Sequence, residues 1–254
     1  MDILKLEDLS VEIAGKRILN HVDLAVPKGE VHVLFGPNGS GKTSLIQTIL
    51  GFSSYKVISG KILFDGIDIT NMPINERAKL GMGIAFQSPP VIRGVKLGHI
   101  VRSFLEGEGR AARKDIGLVR AVNFPIEFLD RDLNLGFSGG EIKRSEILQL
   151  LAQRPKFSIL DEPDSGVDVE NLEVIGKAIN NFLEGHSGLI VTHLGYILNY
   201  VKADVGHVLI GGTIACSGKS TKVLNQILKE GYKWCERCLK ERGVEECREK
   251  RRKR

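Results

Sequence analysis

The chain has 254 residues, 42% of them hydrophobic, and a formal net charge of +5. That suits one large α/β domain, or a core with a subdomain, and a sizeable buried interior. No apolar run reaches the roughly eighteen residues of a membrane-spanning helix, which excludes an encoded span.

The charge is unevenly placed. Residues 233–254 hold ten basic and five acidic side chains, so the rest of the chain is balanced. Any electrostatic pull on nucleic acid or a membrane surface therefore belongs to the tail alone. The start, MDILKLEDLS, is acidic and alternating, unlike an export signal. Four cysteines without such a signal point to a reducing compartment, and a cytoplasmic location is expected.

In chain order, residues 3–13 and 17–26 alternate apolar and polar side chains, as half-buried strands do. Pro27, Lys28 and Gly29 then turn the chain into a buried strand over 31–35. Residues 36–43 read GPNGSGKT, and SLIQTIL opens a helix. Residues 60–70 read as two short strands about Asp65 and Gly66, and 77–80 as a short helix. A buried strand over 82–86 ends at Gln87. Between Val95 and Gln153 the texture is helical, with no convincing strand. Its last helix opens at Phe137-Ser138-Gly139-Gly140-Glu141 and stops at Pro155. Strands resume at 157–160 and 189–191. A hairpin turns at Gly211 and Gly212, and a helix over 221–229 precedes the charged tail. This order predicts a mainly parallel sheet with ligands at the carboxyl ends of its strands.

The loop fits the phosphate-binding pattern G-x-x-x-x-G-K-[ST]. Gly36, Pro37, Asn38, Gly39, Ser40 and Gly41 would turn backbone N–H groups toward phosphates. Lys42 would reach the terminal phosphates, the Thr43 hydroxyl would hold Mg²⁺, and Ser44, in the first turn of the helix, completes the expected ATP-binding set. The apolar run 157–160 ends in Asp161 and Glu162, which brings two carboxylates to the same sheet edge. Asp161 is placed for the Mg²⁺ shell, and Glu162 to orient or deprotonate an attacking water. His193 follows a later strand and can donate to a γ-phosphate; Gln87 can touch Mg²⁺ and water.

Ser138 and Glu141 form S-x-x-E, which is a helix capping box in its own right. The two glycines between them are poor helix residues, costing about 0.8–1 kcal/mol each relative to alanine. They do expose N–H groups at a helix start, which favours an anion. One ATP does not easily reach both loops of one subunit, so this helix end is expected to complete the site of a second copy.

GPNGSGKT, Gln87, FSGGE, FSILDE and VTH, in that order, resemble the ATPase domain of the ATP-binding cassette superfamily over nearly the whole chain, to about Trp234. The resemblance implies an α/β fold of P-loop NTPase type, with a mainly parallel sheet, an antiparallel β subdomain and a helical subdomain. It implies an ATP-binding core over 1–88 and 155–232, a helical subdomain over 89–154 and a tail over 233–254. ATP and Mg²⁺ would bind between two antiparallel copies. Ser138, Gly139, Gly140 and Glu141 would meet the γ-phosphate in trans, and Asp168 would lie in the loop crossing the interface.

A narrower likeness rests on FSGGEIKRSEILQ, on Asp164-Ser165-Gly166, and on YILNYVKADVGHVL and GYKW near the end. Together these resemble the SufC branch, the ATPases of the SUF iron–sulfur cluster assembly machinery. Members of that branch are soluble and act with SufB- or SufD-like scaffold subunits, so such a scaffold is the partner implied. The ATPase subunit of a membrane transporter shares the same ATP chemistry and is the alternative. A chromosome-maintenance ATPase would carry a long coiled-coil insertion, which is absent, so nucleic acid is not an expected partner.

Two features depart from the superfamily pattern. Ile13 stands where many members stack an aromatic ring on adenine, which predicts weak discrimination between ATP and GTP. Cys235, Cys238 and Cys247 in the basic tail supply three thiols, one fewer than a tetrahedral zinc site takes.

Overall fold

A computed structural model of the protein describes residues 1–106, 113–193 and 195–235. Two long strands, β1 (Asp2–Ile13) and β2 (Lys16–Pro27), pair antiparallel. With β4 (Lys56–Phe64) and β5 (Ile67–Asp68) they make a four-stranded antiparallel sheet in the order β2-β1-β4-β5.

The central sheet has six strands. They are β3 (Val31–Phe35), β6 (Met82–Ala85), β9 (Phe157–Asp161), β10 (Ser187–Thr192), β11 (Val205–Ile210) and β12 (Thr213–Lys219). Their order is β12-β11-β3-β10-β9-β6, and every pairing is parallel except β11 with β12. Strands β3, β9 and β10 are buried along their whole length, as strands covered on both faces are. Alternation along β3 sends Val31, Val33 and Phe35 into the core shared with the helices. Leu34 faces the core shared with the antiparallel sheet and α1 (Lys42–Leu50).

Register sets the level of the site. Phe35 lies beside Thr192, Val191 beside Asp161, and Ala85 beside Leu160. The loops that begin at Gly36, Phe86, Glu162 and His193 therefore leave one edge of the sheet side by side, as expected of a parallel sheet.

The remaining helices are α2 (Ile74–Lys79), α3 (Leu97–Glu106), α4 (Arg113–Ala121), α5 (Gly139–Gln153), α6 (Val169–Leu183) and α7 (Ser220–Glu230). Helix α5 packs against α3, α4, α6 and β6, so the helical subdomain is joined to the sheet through it.

Three elements differ from the sequence reading. The first strand of the 60–70 pair is nine residues long, because it extends back to Lys56 along β1. The helical stretch contains a small antiparallel pair, β7 (Ile92–Lys96) with β8 (Asp132–Leu133). Gly94 N–H donates to Asp132 Oδ2 at 3.0 Å, and Lys96 pairs with the same carboxylate at 3.5 Å. Long-range polar contacts rather than periodicity make this pair, and β7 is exposed throughout. The third is helix α6, between the strands at 157–160 and 189–191, where Leu172, Ile175, Ile179 and Leu183 recur at helical spacing and are buried.

Candidate functional site

The glycine-rich loop joins the end of β3 to α1. Gly39 (φ +76°) and Gly41 (φ +104°) take backbone angles that a side chain disfavours, and Gly41 is the residue from which α1 begins. At Gly36 a Cβ would come within 2.5 Å of Leu209 O and 2.6 Å of Ser40 Oγ, so the turn closes only on glycine. Lys42 is buried, and its ammonium donates to Gly36 O (2.7 Å) and Pro37 O (3.2 Å). Burial lowers its pKa, while the nearby Glu162 and Asp161 charges oppose that shift. Ser40 Oγ is buried without a hydrogen-bond partner among the described residues, and the Thr43 side chain is exposed at the helix start. At the far end of α1, the buried Arg77 guanidinium donates to Thr48 O (2.9 Å) and Ile49 O (2.7 Å). Burial moves its pKa down to about 10. An arginine thus supplies Ile49 O with a donor and shares Thr48 O with the Gly51 N–H of the helix cap.

Beside the loop lie the two carboxylates. Asp161 is buried at the end of β9, and its pKa is pushed up to about 6. Burial is the main cause and the Glu162 charge adds to it, against the pull of Lys143 and Lys42. Glu162 has left the strand with φ +46°, and its N–H donates to Val191 O at 2.8 Å. Its carboxylate accepts from Gln87 Nε2 at 2.6 Å. Gln87, Asp161, Glu162 and Lys42 are thus brought to one place from two strand ends and a helix start.

Lys143, in the second turn of α5, was not singled out by the sequence. It is buried, and Nζ donates to Gln87 O (2.9 Å) and Glu162 O (3.0 Å), with Phe86 O at 3.5 Å. Glu146, one turn later, accepts from Phe86 N–H at 3.1 Å, and burial raises its pKa. One helix therefore pins the ends of β6 and β9 through two side chains. The helix also carries Glu141, Arg144, Gln149 and Gln153, so nothing local sets Lys143 and Glu146 apart from its other polar residues.

The His193 loop is held from two sides. Asp164 accepts from Thr192 Oγ1 (2.9 Å to Oδ2) and from Ile197 N–H (3.3 Å), and Thr192 Oγ1 accepts from Gly195 N–H (2.9 Å). Tyr232 donates from its hydroxyl to His193 O (2.8 Å) and accepts from Gly36 N–H (3.2 Å). Among the described residues His193 Nδ1, which is buried, has no hydrogen-bond partner.

Ser138 and Glu141 do form a capping box: Ser138 N–H donates to Glu141 Oε2 (2.7 Å) and Glu141 N–H to Ser138 Oγ (3.4 Å). Asp168 caps α6, accepting from Asn171 N–H at 2.8 Å, and that bond lowers its pKa. The two segments adjoin. A Cβ on Gly139 would lie 3.4 Å from Gly166 O, and one on Gly140 3.4 Å from Asn171 Nδ2. Among the described residues no hydrogen bond joins Ser138–Gly140 to the phosphate loop.

Ile13 ends β1, half-buried, before a turn at Ala14 and Gly15. Cys235 is buried, with its sulfur 4.0 Å from that of Cys216. Cys238 and Cys247 lie outside the described residues. Among the described residues no helix is long and apolar enough to cross a membrane.

The family model described as "ABC transporter" matches residues 19–165. The chain belongs to the ATP-binding cassette family. "Vegetative protein 296" of Bacillus subtilis (strain 168) is 41% identical over 254 residues, covering 96% of this chain and 95% of that protein. A "Probable ATP-dependent transporter ycf16" of Cyanidium caldarium is 38% identical over 244 residues, 91% of this chain and 96% of that one. Among solved structures, a dimeric post-hydrolysis state of the cassette MJ0796 bound to ADP and Pi superposes with a TM-score of 0.73. It is 22% identical, covers 85% of this chain and 98% of that one, and agrees in fold.

As a member of this family the cassette is an ATPase that uses ATP with Mg²⁺. The donors fit the metal. The Thr43 hydroxyl, the Gln87 amide and the Asp161 carboxylate are the hard oxygen groups Mg²⁺ takes. Asp161, buried beside a second carboxylate, is a group whose charged form a cation would stabilise.

Proposed function

We propose that this cassette is the ATP-hydrolysing subunit of a SUF-type iron–sulfur cluster assembly complex, acting on a SufB-like scaffold as a pair of copies. The observation that supports it most is the placement of Asp164. This aspartate opens the Asp-Ser-Gly segment on which the narrower resemblance rests, and it binds the His193 loop through Thr192 and Ile197. The segment is thus wired into the catalytic edge rather than being an incidental surface difference.

In this reading Lys42 leaves the Gly36 and Pro37 carbonyls for the terminal phosphates. The loop amides and the start of α1 neutralise further phosphate charge. Glu162 orients the attacking water and accepts its proton, and His193 donates to the γ-phosphate. Thr43, Gln87 and Asp161 would hold Mg²⁺, which would supply positive charge to neutralise the phosphates. Ser138, Gly139 and Gly140 of a second copy close the site with the N–H groups of a helix start, and the adjoining Asp168 loop lies at the same interface. Closure of the two copies moves the attached scaffold subunits, in a cytoplasmic complex.

The test is isolation of the native complex with this subunit as bait. Co-purification of a scaffold that carries an iron–sulfur cluster supports the proposal. Co-purification of a polytopic membrane protein instead assigns the subunit to a transporter.

A further inference from the structure

The tyrosine at the C-terminal turn joins two parts of the site that approach ATP from different strands. Tyr232 reaches back to the mouth of the phosphate loop, where its hydroxyl accepts from Gly36 N–H at 3.2 Å and donates to His193 O at 2.8 Å. A phenol has one proton to give and lone pairs to receive, so both capacities are used. Burial raises its pKa to about 12, which keeps the donor proton in place at neutral pH. Its ring lies nearly parallel to the His193 ring, at an interplanar angle of 11° and a centroid separation of 6.4 Å. The turn is itself anchored, because Cys235 is buried and Trp234 packs against the main core.

His193 depends on such support. Its loop leaves β10 after Thr192, and its own Nδ1 has no hydrogen-bond partner among the described residues. Asp164 fixes the loop on either side of His193 through Thr192 and Ile197, and Tyr232 fixes His193 itself. We infer that Tyr232 is a positioning residue for ATP hydrolysis, setting His193 and the first glycine of the phosphate loop at a fixed separation through one hydroxyl. The inference rests on the reading of His193 given above and adds a residue that touches no phosphate.

The experiment compares steady-state ATP hydrolysis and thermal melting of the full chain in four forms: wild type, Y232F, H193A and the double variant. Y232F removes the hydroxyl and keeps the ring. A net hydrogen bond lost in the transition state but not in binding lowers kcat by about five- to tenfold, with KM for ATP within about twofold. If Tyr232 acts through His193, the double variant is no slower than H193A. The inference is overturned if Y232F keeps kcat within about twofold of wild type. It is also overturned if kcat falls only together with the melting temperature and KM, or if the two losses multiply in the double variant. An H193A chain with wild-type kcat would instead overturn the reading of His193 itself, and this inference with it.

Discussion

Gln87 Nε2 donates to the Glu162 carboxylate at 2.6 Å, so the residue proposed to orient water is held by an amide from the neighbouring strand end. Replacing Glu162 with glutamine leaves the shape and removes the basicity. The expected result is MgATP binding close to wild type, turnover lower by roughly 10²–10⁴, and accumulation of an ATP-bound dimer. Phosphate release and size-exclusion chromatography read these outcomes. Wild-type hydrolysis in E162Q would remove Glu162 from the role of base.

Lys143→Met keeps the stem and deletes the ammonium that serves Phe86 O, Gln87 O and Glu162 O. Carbonyls left without that donor in a buried place are expected to cost about 1–3 kcal/mol of stability, read by urea unfolding. Hydrolysis should fall as well, since two strand ends lose their shared anchor. Full activity with lowered stability would confine Lys143 to a packing role.

Asp161 sets a pH dependence whose sign follows from burial. Its pKa rises from 3.8 to about 6 in the folded chain, so between these values the folded state holds the proton that the unfolded state has lost. This group therefore favours folding at low pH, and its contribution is lost as pH rises from about 4 to 6. Asp161→Asn should remove that step. Without metal and nucleotide it should stabilise the chain at pH 7 by up to about 3 kcal/mol. The same variant should lose Mg²⁺-dependent hydrolysis. Unfolding curves of both forms at pH 4 and pH 7 check the sign, and an unchanged pH step in the variant would move its origin elsewhere.

Ile13 offers apolar contact where a ring would stack. Ile13→Tyr is expected to tighten ATP binding by up to roughly tenfold, the worth of one aromatic contact. Wild type should bind ATP and GTP within about a hundredfold of each other. Competition of both nucleotides for a fluorescent analogue measures this directly.

The parts of the site legible in the sequence are those written in contiguous residues. The loop 36–43, the strand ends at Asp161 and Glu162, and the Ser138–Glu141 box each carry their own pattern, and the box forms with both of its hydrogen bonds. What the sequence hides are contacts between distant segments. Lys143 and Tyr232 sit in stretches whose local pattern says only helix and turn, and their partners are 19 or more residues away. The β7–β8 pair fails for the same reason, since two residues of β8 are too few for any period to show. Helix α6 is a different case. Its apolar spacing and its Asp168 cap are both present in the sequence, so this helix is legible locally.

Helix α5 begins at the Ser138 cap and carries Lys143 five residues on, about 7.5 Å along its axis. In the proposed paired arrangement its tip would answer to the neighbour's nucleotide, while its second turn grips Gln87 and Glu162 of its own chain. A rigid rod of that length is a lever arm. A neighbour's γ-phosphate arriving or leaving would tilt it, and the tilt would be delivered to the two residues proposed to handle water. Alternation between the two half-sites would then need no relay through the rest of the protein.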